Sequence, residues 1–222
     1  MCKTRVFLLE IISSNQSAFV IGRTIVQNIV ICQDLMRLQN RKNTTRSCLI
    51  KIDLRKACDT VEWESVEEIL YGLNSPHSIV LDGGVHGEII GQMGLRRGDP
   101  ISPFLFVICM EYFTGIMQWV ATQEGFAFHT KCKGLKLNHL CFADDMSIFN
   151  KGYFHSVMLM LRGLKTFSEA SGLTTNATKS SIFSANMDHQ VLEDFCETTG
   201  YTKGKLAKGY QQSVLKCWWI NW

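Results

Sequence analysis

Two adjacent aspartates, Asp144 and Asp145, lie between two short apolar runs and constrain the fold of this chain more than any other feature. Apolar side chains alternate over residues 137–142 and 146–149, as they do in strands, and Asp tolerates turn conformations. The pattern therefore predicts a tight β-hairpin with two exposed carboxylates at its tip. Such a site suits Mg²⁺, which takes oxygen ligands from one or two carboxylates and from substrate phosphates. On its own, the pair is also typical of an ordinary turn.

A third carboxylate, Asp53, lies near the end of a second predicted strand, over residues 48–54. Strands paired in one sheet would bring its side chain to the hairpin tip. Three carboxylates grouped in this way are typical of two-metal sites that catalyse nucleotidyl transfer. The pattern leaves two alternatives open: Asp53 ends a strand without a further role, or the carboxylates belong to a metal-dependent nuclease.

Apolar residues that recur every three or four positions predict three helices. These helices cover residues 61–72, 103–120 and 154–171. Asp59 or Thr60 can cap the first helix, Ser102 can cap the second ahead of Pro103, and Gly172 stops the third. Short strands are expected over residues 85–93 and 180–184. Because strands and helices mix without a regular β-α-β alternation, the pattern favours an α+β sheet covered on one face by helices.

The composition indicates a folded intracellular protein. Apolar residues make up 46% and charged residues 19% of the 222 residues, and the net charge of +3 is compatible with a polyanionic partner without requiring one. The nine cysteines form no C-x-x-C pair and follow no signal peptide, so we expect the nucleus or cytoplasm, no secretion, no disulfide-linked partner and no structural zinc site. The longest apolar stretch, residues 103–117, is short for a membrane span and contains Glu111, so a buried helix and no membrane partner are expected.

Five segments in a fixed order resemble a known family. They are NQSAFVIGR at residues 15–23, KIDLRKACDT at 51–60, GLRRGDPISP at 94–103, FADD at 142–145 and SGLTTNATKS at 171–180. The last four resemble, in order, the palm motifs of reverse transcriptases, most closely those encoded by plant LINE-type, non-LTR retrotransposons, and the first resembles the segment that precedes the palm in that family. An ordered series is far more specific than any one motif. A nuclease does not account for the segments at residues 94–103 and 171–180, whereas group II intron maturases share the palm motifs and stay a minor alternative.

The resemblance implies an α+β right-hand polymerase palm, an antiparallel sheet backed by helices, with part of the fingers and without a thumb. Residues 1–45 would form a partial fingers or pre-palm segment, and residues 46–200 the palm, shortened between about residues 77 and 85. Residues 201–222 would be a tail outside the family. The implied activity is RNA-directed DNA synthesis on an RNA template with a DNA primer and dNTP.

The resemblance also implies roles for individual residues. Asp53 and Asp144 would bind Mg²⁺ or Mn²⁺, with Asp145 supporting them, and Lys179 would act near the leaving pyrophosphate as a general acid or a neutralising charge. Residues around the incoming nucleotide would be Leu54, Arg55, Lys56, Ala57, Cys58, Arg97 and Gly98. Arg23 occupies a family position for which backbone capping and phosphate contact are equally compatible roles.

Two substitutions depart from the family pattern. Cys58 replaces the usual Tyr or Phe that excludes a ribose 2′-hydroxyl, so poor discrimination against ribonucleotides is expected. Arg97 replaces a Gln and adds a charge beside the nucleotide pocket. These departures, with the short palm and the missing fingers and thumb, predict impaired synthesis. The alternative is a non-catalytic retroelement remnant with weak nucleic-acid binding, which the sequence favours for the chain acting alone.

Overall fold

A five-stranded sheet forms the centre of the protein in the computed structural model, which describes residues 11–20, 22–39, 45–72, 80–81, 84–85, 93–95 and 102–204. The strands are β1 (Ser47–Asp53), β2 (Val80–Leu81), β3 (Gly84–Val85), β4 (His139–Phe142), β5 (Asp145–Asn150), β6 (Ser181–Ala185) and β7 (Thr202–Lys203). The sheet has the order β4-β5-β1-β6-β7, antiparallel except for the β6–β7 pair, while β2 and β3 form a separate antiparallel pair. β1 is therefore the central strand.

Six helices surround this sheet within the described residues. They are α1 (Ile25–Gln39), α2 (Ala57–Thr60), α3 (Trp63–Gly72), α4 (Ser102–Thr122), α5 (Phe154–Ser171) and α6 (His189–Thr199). Alternate residues of β1 meet different helices, because successive strand side chains point to opposite faces. Ile50 and Ile52 pack in one core with α4, α5 and α6, whereas Leu49 packs in a second core with α1.

The apolar helix α4 is the centre of the larger core. Phe106, Met110, Phe113 and Met117 are almost completely buried, as predicted for this stretch. By length and composition α4 is apolar enough to cross a membrane, and 56% of its most apolar window is buried inside the fold. Burial against the sheet and α5 accounts for its composition.

Most predicted elements are confirmed. β1, the hairpin, β6 and the three predicted helices lie within one or two residues of their predicted bounds. The predicted cap is wrong: Asp59 and Thr60 belong to the separate turn α2, and the Thr60 hydroxyl faces the carbonyls of Arg55 and Lys56. Most of the strand expected over residues 85–93 lies outside the described residues.

Two helices were not predicted. α1 covers part of the sheet face that we expected to be open, burying Ile29, Cys32 and Leu35 against it. α6 begins at an N-cap, Asp188, whose carboxylate accepts hydrogen bonds from the backbone N–H groups of Gln190 and Val191. Both helices carry signals in the sequence, an apolar stripe in α1 and the Asp188 cap in α6.

Candidate active site

The paired aspartates sit on a two-residue hairpin between β4 and β5. Phe142 and Asp145 are partners in the antiparallel register, so the loop consists of Ala143 and Asp144. Ala143 has φ +55°, a left-handed conformation that L-residues other than Gly adopt at a cost of about 1 kcal/mol. The predicted hairpin is therefore confirmed, and its loop holds Asp144 at the turn between the two strands.

The register of β1 against β5 brings the third aspartate to the same place. Asp53 is the direct partner of Asp145 in this antiparallel pair. The backbone N–H of Leu54, the next residue, donates to the carbonyl of Asp144 at 3.3 Å. Asp53, Asp144 and Asp145, hereafter the aspartate site, thus lie together at one end of the two central strands.

The aspartate site is less exposed than the sequence suggested. Only 15% of the Asp145 side chain is exposed, and Asp144 is half-buried, so the expectation of exposed carboxylates is wrong. Burial raises the pKa of Asp145 to about 6, the Lys51 charge opposes that rise, and the neighbouring Asp144 and Asp53 charges add to it. The pKa of Asp144 is raised by burial and by the charge of Asp53. A cation bound here would relieve this repulsion.

Lys51 is a member of the site to which sequence reasoning gave no role. Its Nζ lies 3.4 Å from Asp145 Oδ1, and the two side chains are 16% and 15% exposed. Lys51 lies two residues before Asp53, so both side chains leave the same face of β1. That spacing was the available signal, but the pairing with Asp145 depends on the register of β5.

The segment after α5 closes one side of the site. Gly172 ends α5 in a left-handed conformation, and the backbone then pairs with the end of β1. Arg55 N–H donates to the Thr174 carbonyl at 2.8 Å, and Asn176 N–H donates to the Asp53 carbonyl at 2.8 Å. This pairing puts exposed Lys179 close enough for its charge to lower the pKa of Asp144.

The turn that follows Asp53 offers few free backbone donors. The N–H groups of Leu54 and Arg55 already donate to protein carbonyls, and the Leu54 and Ala57 side chains are buried in the core. Lys56 turns the chain in a left-handed conformation with φ +48°. Within the described residues, the N–H groups of Lys56 and Ala57 have no recorded acceptor, and the Arg55 and Lys56 side chains are exposed.

Cys58 lies half-buried in α2, beside the start of the GLRRGDPISP segment. Leu95 N–H donates to the Cys58 carbonyl at 2.6 Å, and Gly94 N–H donates to the Val61 carbonyl at 2.8 Å. Gly94 has φ +90°, and a Cβ there would lie 3.2 Å from the Asp59 carbonyl oxygen. The first residues of this segment therefore dock on α2, while the predicted site residues Arg97 and Gly98 lie outside the described residues.

Arg23 caps backbone carbonyls, which is one of the two roles left open by the sequence. Its guanidinium donates to the carbonyls of Ile12, Ser13 and Gln16, the last at 2.9 Å. The Glu111 carboxylate of α4 accepts hydrogen bonds from the N–H, at 3.0 Å, and the hydroxyl of Ser13. Arg23 and Glu111 thus fix the segment before α1 against α4.

The donors of the aspartate site suit a hard divalent cation. Among the described residues, no group of three or more His, Cys, Asp and Glu side chains forms a ready-made metal cage. Mg²⁺ rarely uses such cages and usually combines one or two carboxylates with water and substrate phosphates. Oxygen donors under mutual repulsion therefore fit an ion whose coordination is completed by substrate.

The chain is similar to reverse transcriptases and to the Pol polyproteins of retrotransposons. A family model described as reverse transcriptase (RNA-dependent DNA polymerase) matches residues 1–211. The chain is 25% identical over 173 residues to a Pol polyprotein from retrotransposable element R2 of Popillia japonica, covering 71% of this chain and 27% of the relative. It is 27% identical over 150 residues to the R2DM polyprotein of Drosophila melanogaster, covering 60% and 13% respectively.

A plant protein and one solved structure are also similar. An uncharacterised mitochondrial protein of Arabidopsis thaliana is 35% identical over 69 residues, which is 31% of this chain and 57% of that protein. The chain thus spans little more than half, or less, of each of these relatives. Apo telomerase from Candida tropicalis has the same fold, with a TM-score of 0.55 at 10% identity over 85% of this chain and 40% of the telomerase chain.

Proposed function

This chain belongs to the reverse transcriptase family, and we propose that its aspartate site performs RNA-directed DNA synthesis. The chain is of retrotransposon origin, as its R2 relatives indicate. The plant LINE-type lineage is part of the proposal, supported by the palm motifs and compatible with the similar Arabidopsis protein. The substrates would be an RNA template, a DNA primer and dNTP.

The pairing of Asp53 with Asp145 carries this proposal. A change of one residue in the register of β1 against β5 would move Asp53 to the other face of the sheet, away from the hairpin. The chain has this register and the hydrogen bond from Leu54 to Asp144. The proximity of these three carboxylates supports the proposal that they act together in catalysis.

Mg²⁺ or Mn²⁺ would be held by Asp53 and Asp144, with Asp145 in support. Such ions supply activation of the attacking hydroxyl and neutralise charge on the leaving pyrophosphate. Asp145 is tied to Lys51 at 3.4 Å, so this carboxylate is less available than the other two to a metal ion. This pairing supports the supporting role proposed for Asp145.

The nucleotide triphosphate would lie over the turn at Lys56 and Ala57. Their N–H groups and the exposed Arg55 and Lys56 side chains offer donors and positive charge to phosphate oxygens. The core positions of Leu54 and Ala57 restrict those two residues to backbone contacts. Lys179, whose charge reaches Asp144, would neutralise the leaving pyrophosphate.

Two features support impaired activity. Cys58 puts a small, half-buried thiol where the family has an aromatic ring, so little would exclude a ribose 2′-hydroxyl. In the protein without metal, the Lys51 charge neutralises Asp145, which lowers the affinity of the site for a cation. A non-catalytic remnant with weak nucleic-acid binding is the alternative that these same features favour.

Primer extension on an RNA template with Mg²⁺ separates the two functions. We expect slow extension by the purified full chain and none by Asp144→Asn, with Asp188→Asn as a control that removes a carboxylate from the cap of α6. Extension by the Asp144→Asn variant would place the activity elsewhere or in a contaminant. Absence of extension by every protein would favour the non-catalytic alternative.

A further inference from the structure

A group of basic and aromatic side chains lies at the end of the sheet opposite the aspartate site. It consists of Arg46, Lys151, Tyr153 and Phe154, hereafter the strand-end patch, where β1 begins and β5 ends. The six residues of β5 separate it from Asp145 by roughly 17 Å. The patch is therefore distinct from the proposed catalytic site.

The backbone after β5 fixes the position of Tyr153. Gly152 has φ +73°, and a Cβ there would lie 2.9 Å from the carbonyl carbon of Ser47. The Gly152 N–H donates to Asn150 Oδ1 at 2.6 Å, which closes the turn. Because of this close approach, Tyr153 lies against the residue that precedes β1.

The cationic groups of Arg46 and Lys151 both lie over the Tyr153 ring. Arg46 Cζ lies 5.7 Å and Lys151 Nζ 5.2 Å from the ring centroid, both within the range of a cation–π interaction. Arg46 Nε also donates to the Asn186 carbonyl at 3.2 Å, so its guanidinium is held in place from two sides. Tyr153 as a residue remains 41% exposed.

The positive charge of the patch is not balanced locally. Across the described part of the chain, neither Arg46 nor Lys151 has a carboxylate within ion-pair distance, and the first turn of α5 contains no acidic residue. The carboxylate of Asp188, near Asn186 in sequence, is engaged in capping α6. The hydroxyl oxygens of Thr45 and Thr130 lie 3.2 Å apart, within hydrogen-bond distance. The loop that carries exposed Lys131 therefore lies beside the residue that precedes Arg46.

Phe154, which follows Tyr153 directly in the chain, adds an exposed aromatic side chain. One face of its ring stacks on Phe195 at 5.3 Å with an interplanar angle of 21°, and 55% of the residue is exposed. A fixed aromatic ring beside unpaired cations matches single-stranded nucleic acid, in which bases stack and phosphates need neutralising. An acidic peptide would use the cations but not the ring.

We propose that the strand-end patch binds single-stranded nucleic acid, with phosphates at Arg46 and Lys151 and a base stacked on Phe154. This binding goes beyond the proposed function, since it needs no metal ion, no primer and no turnover. It would hold a strand on the palm at a distance from the aspartate site.

Fluorescence anisotropy of a labelled oligouridine with the full chain, in EDTA and without nucleotide, tests this proposal. Arg46→Gln/Lys151→Gln should weaken binding by about tenfold or more and reduce the slope of log Kd against log salt by about 1.4, the value for two phosphates of a single strand. The matched control Arg162→Gln/Lys165→Gln removes the same two charges from the exposed side of α5 and should change Kd less than about twofold. Phe154→Leu should weaken binding about fivefold with an unchanged salt slope.

Equal Kd values for the patch and control variants would overturn the proposal. The proposal would also be overturned if Phe154→Leu left Kd unchanged and poly-glutamate displaced the oligouridine, because that result would assign the patch to acidic peptides. If the double variant fails to fold, as judged by thermal unfolding, the single change Lys151→Glu serves in its place. Polymerisation plays no part in this assay, so its failure leaves the proposed function untouched, and the reverse also holds.

Discussion

Asp53 and Asp145 face each other as direct partners across the antiparallel strands β1 and β5. Directly opposite residues in such a pair have Cβ atoms about 5 Å apart, so two ionised carboxylates are held closer than they would be in solution. The hairpin adds Asp144 beside them. The energetic consequences of this crowding can be measured without any assay of activity.

Asp145→Asn should stabilise the protein in the absence of metal. The pKa of Asp145 is raised from 3.8 to about 6, so the ionised form is disfavoured in the folded state. This penalty is absent below the unfolded pKa, grows as the pH rises from the unfolded pKa to the folded pKa, and levels off above it at about 3 kcal/mol. In urea unfolding with EDTA, the advantage of Asp145→Asn should be largest at about pH 7.5 and vanish at about pH 4.

An exposed aspartate on α6 provides the control for that experiment. Asp194→Asn should change the free energy of unfolding by less than about 0.5 kcal/mol at either pH. A destabilised Asp145→Asn at neutral pH would show that the Lys51 pair outweighs burial and repulsion.

Lys51→Met should destabilise the protein near neutral pH, because it leaves the buried Asp145 carboxylate without its cation. We expect a loss of about 1 to 3 kcal/mol in the free energy of unfolding, and recovery of most of it in Lys51→Met/Asp145→Asn. Urea unfolding of the parent protein, the two single variants and the double variant gives the coupling free energy between Lys51 and Asp145 directly. Additive effects would mean that the 3.4 Å contact has no energetic weight.

His139 should make the protein sensitive to acid. It is fully buried, with ring nitrogens 2.7 Å from Asn138 Oδ1 and 3.2 Å from Thr114 Oγ1, and burial lowers its pKa from 6.5 to about 3. The folded state therefore takes up a proton less readily than the unfolded state. The contribution of His139 to the free energy of unfolding is at its maximum above the unfolded pKa. It decreases by about 1.4 kcal/mol per pH unit as the pH falls from the unfolded pKa towards the folded pKa.

The change His139→Gln isolates that effect. The variant should be less stable at neutral pH, because it loses buried hydrogen bonds, yet its stability should fall less steeply with acid than that of the parent protein. Parallel pH profiles for the two proteins would contradict the assignment of a neutral, buried imidazole.

Cys58→Tyr should increase discrimination against ribonucleotides in any active preparation. An aromatic ring restores the bulk that the half-buried thiol lacks, and we expect the ratio of kcat/KM for dNTP over rNTP to rise by about tenfold or more. Cys58→Ser, which adds no bulk, is the matched control and should leave the ratio unchanged. An equal ratio for the parent protein and Cys58→Tyr would refute the steric explanation.

Local patterns predicted much of the fold and the positions of the aspartates. Alternation around Asp144 and Asp145 predicted the hairpin, and apolar periodicity predicted α3, α4 and α5, because these features depend on residues near in sequence. The ion pair of Lys51 with Asp145 depends on the register of β1 against β5, which no local pattern contains. Likewise, the carbonyls that Arg23 caps come together only in the folded chain.

Binding of Mn²⁺ measured by electron paramagnetic resonance tests the aspartate site most directly. The parent protein should bind Mn²⁺, with competition by Mg²⁺, and Asp53→Asn and Asp144→Asn should each weaken that binding by about tenfold or more, since each removes a charged oxygen ligand. Asp188→Asn, which removes a carboxylate from the cap of α6, should leave it unchanged. Equal Mn²⁺ binding by all four proteins would contradict the claim that the pairing of β1 with the hairpin builds a metal-dependent active site.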